Sequence, residues 1–393
     1  MSDHSPLFAR RMDQMRPSTI REILKVTAQP EVISFAGGLP APELFPVAEV
    51  RAAADEVLTQ HGSRALQYGP SEGYPALRDW IAAEVGRRGI SAAPEDVLVT
   101  NGSQQVLDLV GKLFLNPGDV VLTENPTYLA AIQAFQTFEA RFVPVPTDGE
   151  GLIPEALPEL IRQHRPKFLY TIPNFQNPTG ITLTAARREA LARIAAEHKL
   201  VVMEDDPYGK LRYHGSDIPP IKHWDRAGQV LYASTFSKTI APGLRLGWVV
   251  APPEVFSRLL ILKQASDLHT SSFDQLVAHT YLTRNDQAAH LEKIRRAYGE
   301  RYGVLDGALR AAMPPGFTWT KPEGGMFLWI TGPAGLDAME LLQRAVAKKV
   351  AFVPGRDFFP TDGGRNFLRL NYSNSTPERI REGVSRLAAL CRG

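Results

Sequence analysis

The chain has 393 residues, of which 44% are hydrophobic and 22% charged, a composition typical of a globular protein. Its 44 Lys and Arg residues nearly balance its 42 Asp and Glu residues, and the net charge of +2 gives no electrostatic reason to expect nucleic acid or an anionic membrane as a partner. The single cysteine, Cys391, excludes an intrachain disulfide framework and a cysteine-based metal site. The first residues, MSDHSPLFARRMDQ, lack the apolar core of a signal peptide, and no apolar run is long enough to span a bilayer, so we expect a cytoplasmic protein.

Residues 1–45 are predicted to form an ordered arm rather than a domain, because they include the Gly- and Pro-rich stretch GGLPAPELFP. Within the arm, residues 17–26 (PSTIREILKV) have the pattern of a short amphipathic helix. The chain is too long for one small core, so we expect a large domain over residues 46–285 and a smaller one over residues 286–393.

Seven short apolar runs occupy the middle of the chain, and amphipathic stretches such as Gln104–Phe114 and Ala185–Glu197 lie between several of them. Strands that alternate with helices predict an α/β fold with a mostly parallel seven-stranded sheet, covered by helices on both faces. The runs are Val97–Thr100, Val120–Thr123, Phe142–Pro146, Phe168–Ile172, Leu200–Glu204, Val230–Ala233 and Leu246–Val250.

The rest of the chain predicts long helices followed by a smaller α/β unit. The pattern is helical with few breaks between Val255 and Leu309, and short apolar runs then alternate with helical stretches. The runs are Met326–Ile330, Ala351–Val353 and Phe367–Asn371, and the helical stretches are Asp337–Lys348 and Pro377–Leu390.

Polar side chains follow several of these strands, at the edge where ligands bind in open α/β sheets. Ser103 and Gln104 open a helix after the first strand, where free amides and the positive helix end favour a phosphate, although a simple Ser cap fits as well. Asn177 precedes a proline after the fourth strand, and an ordinary turn explains it equally well.

Two acids and two cations follow the later strands. Tyr208 lies three residues beyond Asp205, so both side chains could address one ligand ring, and we expect one of the two acids Asp205 and Asp206 to be solvated. Lys238 follows the sixth strand among hydroxyls, and Arg245, just ahead of the seventh strand, could return to the same edge.

Together these groups match the needs of pyridoxal 5'-phosphate. Its aldehyde needs an amine, its pyridine nitrogen an acid that keeps it protonated, and its ring oxygen hydrogen-bond donors. Its phosphate needs a helix end, hydroxyls and a cation. Each feature is weak alone, and their joint order along the chain indicates the cofactor.

Nearly the whole chain resembles the fold-type-I, pyridoxal-phosphate-dependent aminotransferases of class I and II, and its motifs are most similar to the branch of 2-aminoadipate and kynurenine aminotransferases. The motifs are SFAGGLPAPELFP, LQYGPSEGYPALR, GSQQ, NPTY, NPTG, EDDPY, STFSK and FLRLNYS. The resemblance implies ping-pong transfer of an amino group from an L-amino acid to 2-oxoglutarate, in a homodimer. Candidate donors are 2-aminoadipate, glutamate, and aromatic and branched-chain amino acids.

The family's roles carry over residue by residue. Lys238 resembles the lysine that binds the cofactor aldehyde and shuttles the substrate proton, and Asp205 resembles the partner of the pyridine nitrogen. Tyr208 and Asn177 resemble the donors to the ring oxygen. The residues that resemble the phosphate site are Ser103, Gln104, Thr235, Ser237 and Arg245, with a threonine at 235 where serine is common.

Further roles concern the ring face, the partner subunit and the substrate. Tyr128 resembles the aromatic that stacks on the pyridine, although core packing explains it equally well, and Tyr68 resembles the tyrosine that reaches the neighbouring subunit's phosphate. Arg369 resembles the arginine whose planar fork grips the substrate α-carboxylate. Arg21 either recognises a distal carboxylate of the substrate or is a solvated helix arginine. Gly38 leaves room for long side chains of the substrate.

Other classes of function stay open. A ligand-sensing regulator of this fold would carry a helix-turn-helix domain, but only about 30 residues precede SFAGGLP, so we expect no nucleic-acid partner. A lyase or decarboxylase that uses the same cofactor is a further alternative, because the choice of reaction depends on the orientation of the substrate bond that breaks, which the sequence does not determine. No G-x-G-x-x-G stands between a strand and a helix, which argues against a nicotinamide dehydrogenase.

Overall fold

The computed structural model describes residues 7–13, 15, 29 and 31–392. The strands are β1 (Ile33–Ser34), β2 (Val97–Asn101), β3 (Val120–Thr123), β4 (Arg141–Pro144), β5 (Thr147–Asp148), β6 (Gly151–Leu152), β7 (Phe168–Thr171), β8 (Val201–Asp205), β9 (Val230–Thr235), β10 (Leu246–Val250), β11 (Thr318–Trp319), β12 (Phe327–Thr331), β13 (Val350–Ala351), β14 (Val353–Pro354) and β15 (Phe367–Asn371). The α-helices are α1 (Val47–Ala65), α2 (Pro75–Gly86), α3 (Gly102–Phe114), α4 (Leu129–Gln136), α5 (Leu157–His164), α6 (Ala185–His198), α7 (Pro253–Asp267), α8 (Ser272–Arg284), α9 (Gln287–Ala312), α10 (Ala338–Ala347) and α11 (Pro377–Cys391).

The central sheet has seven strands in the order β2-β10-β9-β8-β7-β3-β4. Neighbouring strands are parallel except β10, which is antiparallel to both β2 and β9. The predicted α/β fold with a mostly parallel seven-stranded sheet is therefore confirmed. The carboxyl ends of the parallel strands meet the amino end of β10 at one edge of the sheet, which brings several distant chain segments together.

Alternate side chains of the strands pack on opposite faces of the sheet, as the two-residue repeat of a strand requires. Leu98 of β2 joins the apolar core that includes α3 and α4, whereas Val97 and Val99 join the core that includes α1, α2 and α8. Leu122 of β3 packs in a third cluster with residues of α6. Burial on both faces explains why the strand sequences are almost continuously apolar.

A second, antiparallel sheet with the order β11-β12-β15-β14 lies in the carboxyl-terminal part of the chain. Strand β1 of the arm pairs in parallel with β13, and the backbone NH of Asn371 donates to the carbonyl of Phe35 at 2.8 Å. The arm is thus attached to the part of the chain that carries the second sheet. We propose that the small domain begins near residue 286, where α9 starts and leads towards this sheet.

One predicted strand divides in the structure. The run Ala351–Val353 forms β13 and β14, because β13 pairs with the arm whereas β14 pairs with β15. The helical region after Val255 consists of α7, α8 and α9; α7 ends next to Leu268, whose φ is 67°. A positive φ at a leucine interrupts the helix where apolar periodicity alone shows no break.

Candidate active site

A cavity of about 270 Å³ opens at the carboxyl edge of the central sheet. It brings together most of the predicted site residues, namely Gly38, Ser103, Gln104, Tyr128, Asn177, Asp205, Tyr208, Thr235, Ser237, Lys238, Arg245 and Arg369. The sequence interpretation missed Ile172, Pro207 and Phe327, which also line the cavity. Ile172 and Pro207 come directly after β7 and just after β8, so the strand-end rule could have found them, whereas no sequence signal marks Phe327 at the start of β12.

One end of the cavity is formed by the start of α3 and by the turn before β10. Gly102 begins α3 with a φ of 68°, and Arg245 has a φ of 51°. A Cβ atom on Gly102 would lie 2.6 Å from Nη2 of Arg245, so the glycine lets the guanidinium approach the helix end. The free amides, the positive helix end and this cation suit an anion such as a phosphate.

Two hydroxyls lie at the end of β9, next to this helix end. Thr235 Oγ1 is 2.9 Å from Ser237 Oγ and 2.8 Å from the carbonyl oxygen of Leu246. It also accepts the backbone NH of Ser237 at 3.1 Å, which caps the short turn that leads to Lys238. The turn therefore fixes both hydroxyls and the lysine relative to β9.

Lys238 points into the cavity, and its Nζ donates to the carbonyl oxygen of Gly38 at 3.1 Å. Burial, followed by the positive charges of Arg245 and Arg369, lowers the pKa of Lys238 to about 8. The amine is therefore neutral in a much larger fraction of molecules at neutral pH than a solvated lysine is. A neutral amine is the form that attacks an aldehyde or accepts a proton.

Asp205 ends β8 with its carboxylate buried. Oδ2 accepts the hydroxyl of Tyr170 at 2.8 Å, whereas Oδ1 has no hydrogen-bond partner among the described residues. Burial raises the pKa of Asp205 to about 7, the hydrogen bond from Tyr170 opposes the rise and the charge of Asp206 adds to it. An acceptor left open beside a cavity fits a protonated ring nitrogen, as the pyridine of pyridoxal 5'-phosphate requires.

The expectation that one of the two acids is solvated is wrong, because Asp206 is buried as well. Its Oδ2 accepts from Arg88 at 2.6 Å and from the hydroxyl of Tyr232 at 3.1 Å, and its Oδ1 accepts from Asn174 at 2.8 Å. Burial opposes ionisation, but Arg88 and these hydrogen bonds hold the pKa of Asp206 below its usual range. Asp206 is thus a paired structural carboxylate, unlike its neighbour.

Arg369 is 1% exposed and packs against two aromatic rings, with its guanidinium carbon 4.4 Å from the centre of Phe327 and 5.0 Å from that of Phe358. Nη1 donates to Asn177 Oδ1 at 2.8 Å and Nη2 to the carbonyl of Ala36 at 2.7 Å. Nε has no partner within the part of the chain that the structure describes. Burial lowers the pKa of Arg369 to about 10, so it stays charged at neutral pH and can receive a carboxylate.

Tyr208 and Asn177 lie next to Arg369 in the cavity. Asn177 hydrogen-bonds the Tyr208 hydroxyl, while burial raises the pKa of that phenol above its usual range and keeps it protonated. The ring of Tyr208 meets that of Phe327 edge-on, with centres 5.8 Å apart. A phenol and an amide are therefore held together where a ring oxygen could accept from them.

The predicted site residue Tyr68 does not line this cavity. Tyr68 is 78% exposed, with its ring edge-on to His269 at 5.7 Å. Arg21 lies outside the described residues. Within the described ranges, the structure holds neither a helix long and apolar enough to cross a membrane nor a cluster of His, Cys, Asp and Glu able to bind a metal ion.

The chain matches the family model of aminotransferase class I and II over residues 30–387. It is 45% identical over 392 residues to the 2-aminoadipate transaminase of Thermus thermophilus, covering 99% of this chain and 97% of that protein. It is also 45% identical over 392 residues to aromatic-amino-acid aminotransferase 1 of Thermococcus litoralis, covering 98% of this chain and 94% of that protein.

A solved structure shows the same architecture. The α-aminoadipate aminotransferase of Thermus thermophilus, complexed with N-(5'-phosphopyridoxyl)-L-leucine, superposes with a TM-score of 0.93 at 43% identity, covering 100% of this chain and 98% of that one. The chain therefore belongs to the aminotransferase class I and II family and is a transaminase that uses pyridoxal 5'-phosphate as its cofactor.

Proposed function

We propose that this transaminase transfers amino groups from amino acids with long side chains to 2-oxoglutarate. The donors include 2-aminoadipate, glutamate, and aromatic and branched-chain amino acids. The names of the Thermus and Thermococcus relatives support this range, as does the leucine moiety in the Thermus complex. Gly38, Leu39, Ile172 and Phe327 form a largely apolar part of the cavity wall, which suits a long side chain.

The cofactor would lie between two opposed groups, the amine of Lys238 and the free Oδ1 of Asp205. Tyr208 and Asn177 would donate towards its ring oxygen and Tyr128 would lie against its ring. Its phosphate would bind to Ser103, Gln104, Thr235, Ser237 and Arg245. When bound, pyridoxal 5'-phosphate supplies an aldehyde that bonds covalently to amines and a ring that accepts the electron pair left by the α proton.

Lys238 moves the proton in this proposal. Its Nζ would hold the cofactor through the aldehyde carbon, and when free its neutral form would accept the substrate α proton and return it later. The lowered pKa of about 8 favours this neutral form. The Asp205 carboxylate would keep a proton on the ring nitrogen, which would make the ring a better acceptor of electrons.

Arg369 would bind the substrate α-carboxylate. Arg369 lines the cavity, its Nε has no hydrogen-bond partner among the described residues, and the rings of Phe327 and Phe358 pack against its guanidinium. Each half-reaction brings an α-carboxylate, so the same arginine serves both the amino acid and the oxo acid.

We also propose a homodimer in which Tyr68 completes the partner's site. Tyr68 and Leu66 are 78% and 75% exposed, an unusual state for large apolar side chains so close in sequence. The position of Tyr68 outside the cavity of its own chain supports a role in the neighbouring subunit.

The proposal depends most on one observation: Lys238, Asp205 and Arg369 line one cavity, and Asp205 Oδ1 and Arg369 Nε have no hydrogen-bond partner among the described residues. The test is a panel of L-amino acids with 2-oxoglutarate, in which the formation of each 2-oxo acid is measured. We expect the highest kcat/KM with 2-aminoadipate, leucine or aromatic donors and none with Lys238→Ala. Activity confined to alanine or aspartate would contradict the substrate proposal, and release of ammonia or carbon dioxide without glutamate would favour a lyase or decarboxylase.

A further inference from the structure

The side chain of Gln176, next to Asn177, is buried and uses all of its hydrogen-bonding groups. Nε2 donates to Glu124 Oε2 at 3.1 Å and to the carbonyl of Pro126 at 2.8 Å. Oε1 accepts from the backbone NH of Thr179 at 2.9 Å and from its hydroxyl at 2.7 Å. One amide therefore joins the turn at residues 176–179 to the chain segment after β3.

Glu124 is the fixed end of this connection. It directly follows β3, and its carboxylate also accepts the hydroxyl of Thr171 at 2.8 Å and the backbone NH of Ile172 at 3.2 Å. The residue is 4% exposed, so these contacts are shielded from water. Glu124 thus anchors Gln176 to the ends of two adjacent strands, β3 and β7.

Both segments joined by this pair carry residues of the active site. Asn177 lies inside the turn that Gln176 closes, and its Oδ1 holds Nη1 of Arg369 at 2.8 Å. Tyr128 lies on the segment that begins at Glu124, and it lines the same cavity. The Glu124–Gln176 hydrogen bond therefore links two chain segments that form the wall of the cavity.

We propose that Glu124 and Gln176 form a clamp that positions Asn177, and through it Arg369, for the substrate carboxylate. Both are positioning residues, since Arg369 rather than the clamp would touch the substrate. The inference rests on the proposed role of Arg369. It predicts that releasing the clamp weakens carboxylate binding more than it slows proton transfer at Lys238, which lies on a different strand end.

The test compares Gln176→Leu with the wild type in the cofactor-loaded enzyme. The probe is 4-methylpentanoate, a branched carboxylate without an amino group, whose affinity is followed through the absorption of the bound cofactor. We expect its Kd and the KM for leucine to rise by roughly tenfold or more, with a smaller change in kcat, because small displacements of a positioning group have large effects. The thermal unfolding midpoint of the cofactor-free protein reports separately on stability.

The matched control is Thr182→Val, which removes an acceptor of the Phe175 NH (3.3 Å) in the same loop but outside the clamp. It should leave both Kd and KM unchanged. In an Asn177→Ala background, Gln176→Leu should have little further effect on Kd, since the clamp acts through Asn177. Thr179→Val removes one donor to Gln176 Oε1. If Gln176→Leu does not fold, Thr179→Val takes its place in the test and should also raise Kd.

The clamp is contradicted if folded Gln176→Leu keeps the wild-type Kd, if Thr182→Val raises Kd equally, or if the effects of Gln176→Leu and Asn177→Ala simply add. Arg369→Lys separates this failure from a failure of the proposed function. A weakened Kd in Arg369→Lys with an unchanged Kd in Gln176→Leu overturns the clamp alone. An unchanged Kd in both variants overturns the role of Arg369 as well.

Discussion

Three cations, Lys238, Arg245 and Arg369, line one cavity, and anions that enter it would reduce their mutual repulsion. A phosphate beside Arg245 and a carboxylate beside Arg369 would supply those anions. Lys238 responds to the same field by losing its proton more readily. The positive charge of the site would therefore both attract anionic ligands and favour the neutral form of the amine.

Lys238 should lose its proton at a lower pH than an ordinary lysine does. Its pKa is lowered from 10.5 to about 8, so its neutral form should appear as the pH rises through about 8. In the cofactor-free protein, labelling of Lys238 by trinitrobenzenesulfonate should increase with a midpoint near this pH, measured by peptide mass spectrometry. Arg245→Gln removes one of the charges that lower the pKa, so its midpoint should move upwards. A midpoint close to the ordinary lysine value in the wild-type protein would show that the amine is solvated.

The second prediction concerns the acid at the opposite side of the ring. Asp205→Asn keeps the size of the side chain but removes its charge, so the ring nitrogen loses its proton and the ring accepts electrons poorly. We expect kcat to fall by at least about a hundredfold, the order of effect seen when one preorganised electrostatic contact is removed. Cofactor should still bind, as absorption spectra would show. An undiminished kcat would remove Asp205 from this role.

The convergence of individual residues was largely predictable from sequence, because strand-end position and motif order pointed to Lys238, Asp205 and Arg369, and all three line one cavity. Which of two adjacent acids forms an ion pair was not predictable. Asp205 and Asp206 look equivalent in sequence, but Asp206 pairs with Arg88, just beyond the end of α2, and also accepts from Tyr232 and Asn174. The aromatic packing against Arg369 likewise depends on Phe327, which is distant in the chain.

At the scale of elements, β10 closely approaches the start of α3, the helix end that we propose binds the cofactor phosphate. A Cβ atom on Gly247 would lie 2.5 Å from the carbonyl carbon of Gly102 and 2.6 Å from the nitrogen of Ser103. Backbone cannot yield as a flexible side chain can, so any larger residue must displace the helix end.

We therefore predict that Gly247→Ala weakens cofactor binding. The displaced helix end would present its amides less well to the phosphate, and the strain should cost about 1–3 kcal/mol of folding stability. The Kd for pyridoxal 5'-phosphate and the free energy of unfolding in urea measure the two effects. Gly243→Ala is the control, since a Cβ atom on Gly243 would have no described atom within 4 Å and both quantities should stay unchanged. Equal behaviour of the two variants would show that the close approach of β10 to α3 does not hold the helix end in place.

The sequence located most elements of the central sheet to within one or two residues, because two buried faces require continuous apolar runs. Its failure at Ala351–Val353 has a physical cause. A single residue separates β13 from β14 in the chain. Strand β13 nevertheless pairs with Ile33–Ser34, near the start of the sequence, and β14 pairs with Phe367–Asn371, near its end. Apolar periodicity reports burial and carries no information about which strand is the partner.

At the scale of the whole molecule, the arm connects the two halves of the site. The carbonyl of Ala36 accepts from Arg369, on the second sheet, and the carbonyl of Gly38 accepts from Lys238, at the end of the central sheet. A displacement of the arm would therefore be felt at both groups. The prediction of an ordered arm rested on glycine and proline content alone, and its contacts could not be read from that composition.

The proposed homodimer is testable by complementation. Subunits carrying Tyr68→Ala and Lys238→Ala are coexpressed with different tags, and the mixed dimer is purified. Its one site with Lys238 receives Tyr68 from the other subunit, so the mixed dimer should have about half of the wild-type activity, because one of two symmetric sites is intact. Each homodimer should be strongly impaired. A mixed dimer no more active than the Tyr68→Ala homodimer would show that Tyr68 acts within its own chain or not at all.

The proposed chemistry requires above all that the amine of Lys238 reach the cofactor aldehyde across the cavity from Asp205. The most direct measurement is reduction of the cofactor-loaded enzyme with sodium borohydride, followed by digestion and peptide mass spectrometry. We expect a phosphopyridoxyl group on Lys238 of the wild-type enzyme and none at this position in Lys238→Ala. A phosphopyridoxyl group on a different lysine of the wild-type enzyme, or on none, would contradict the assignment.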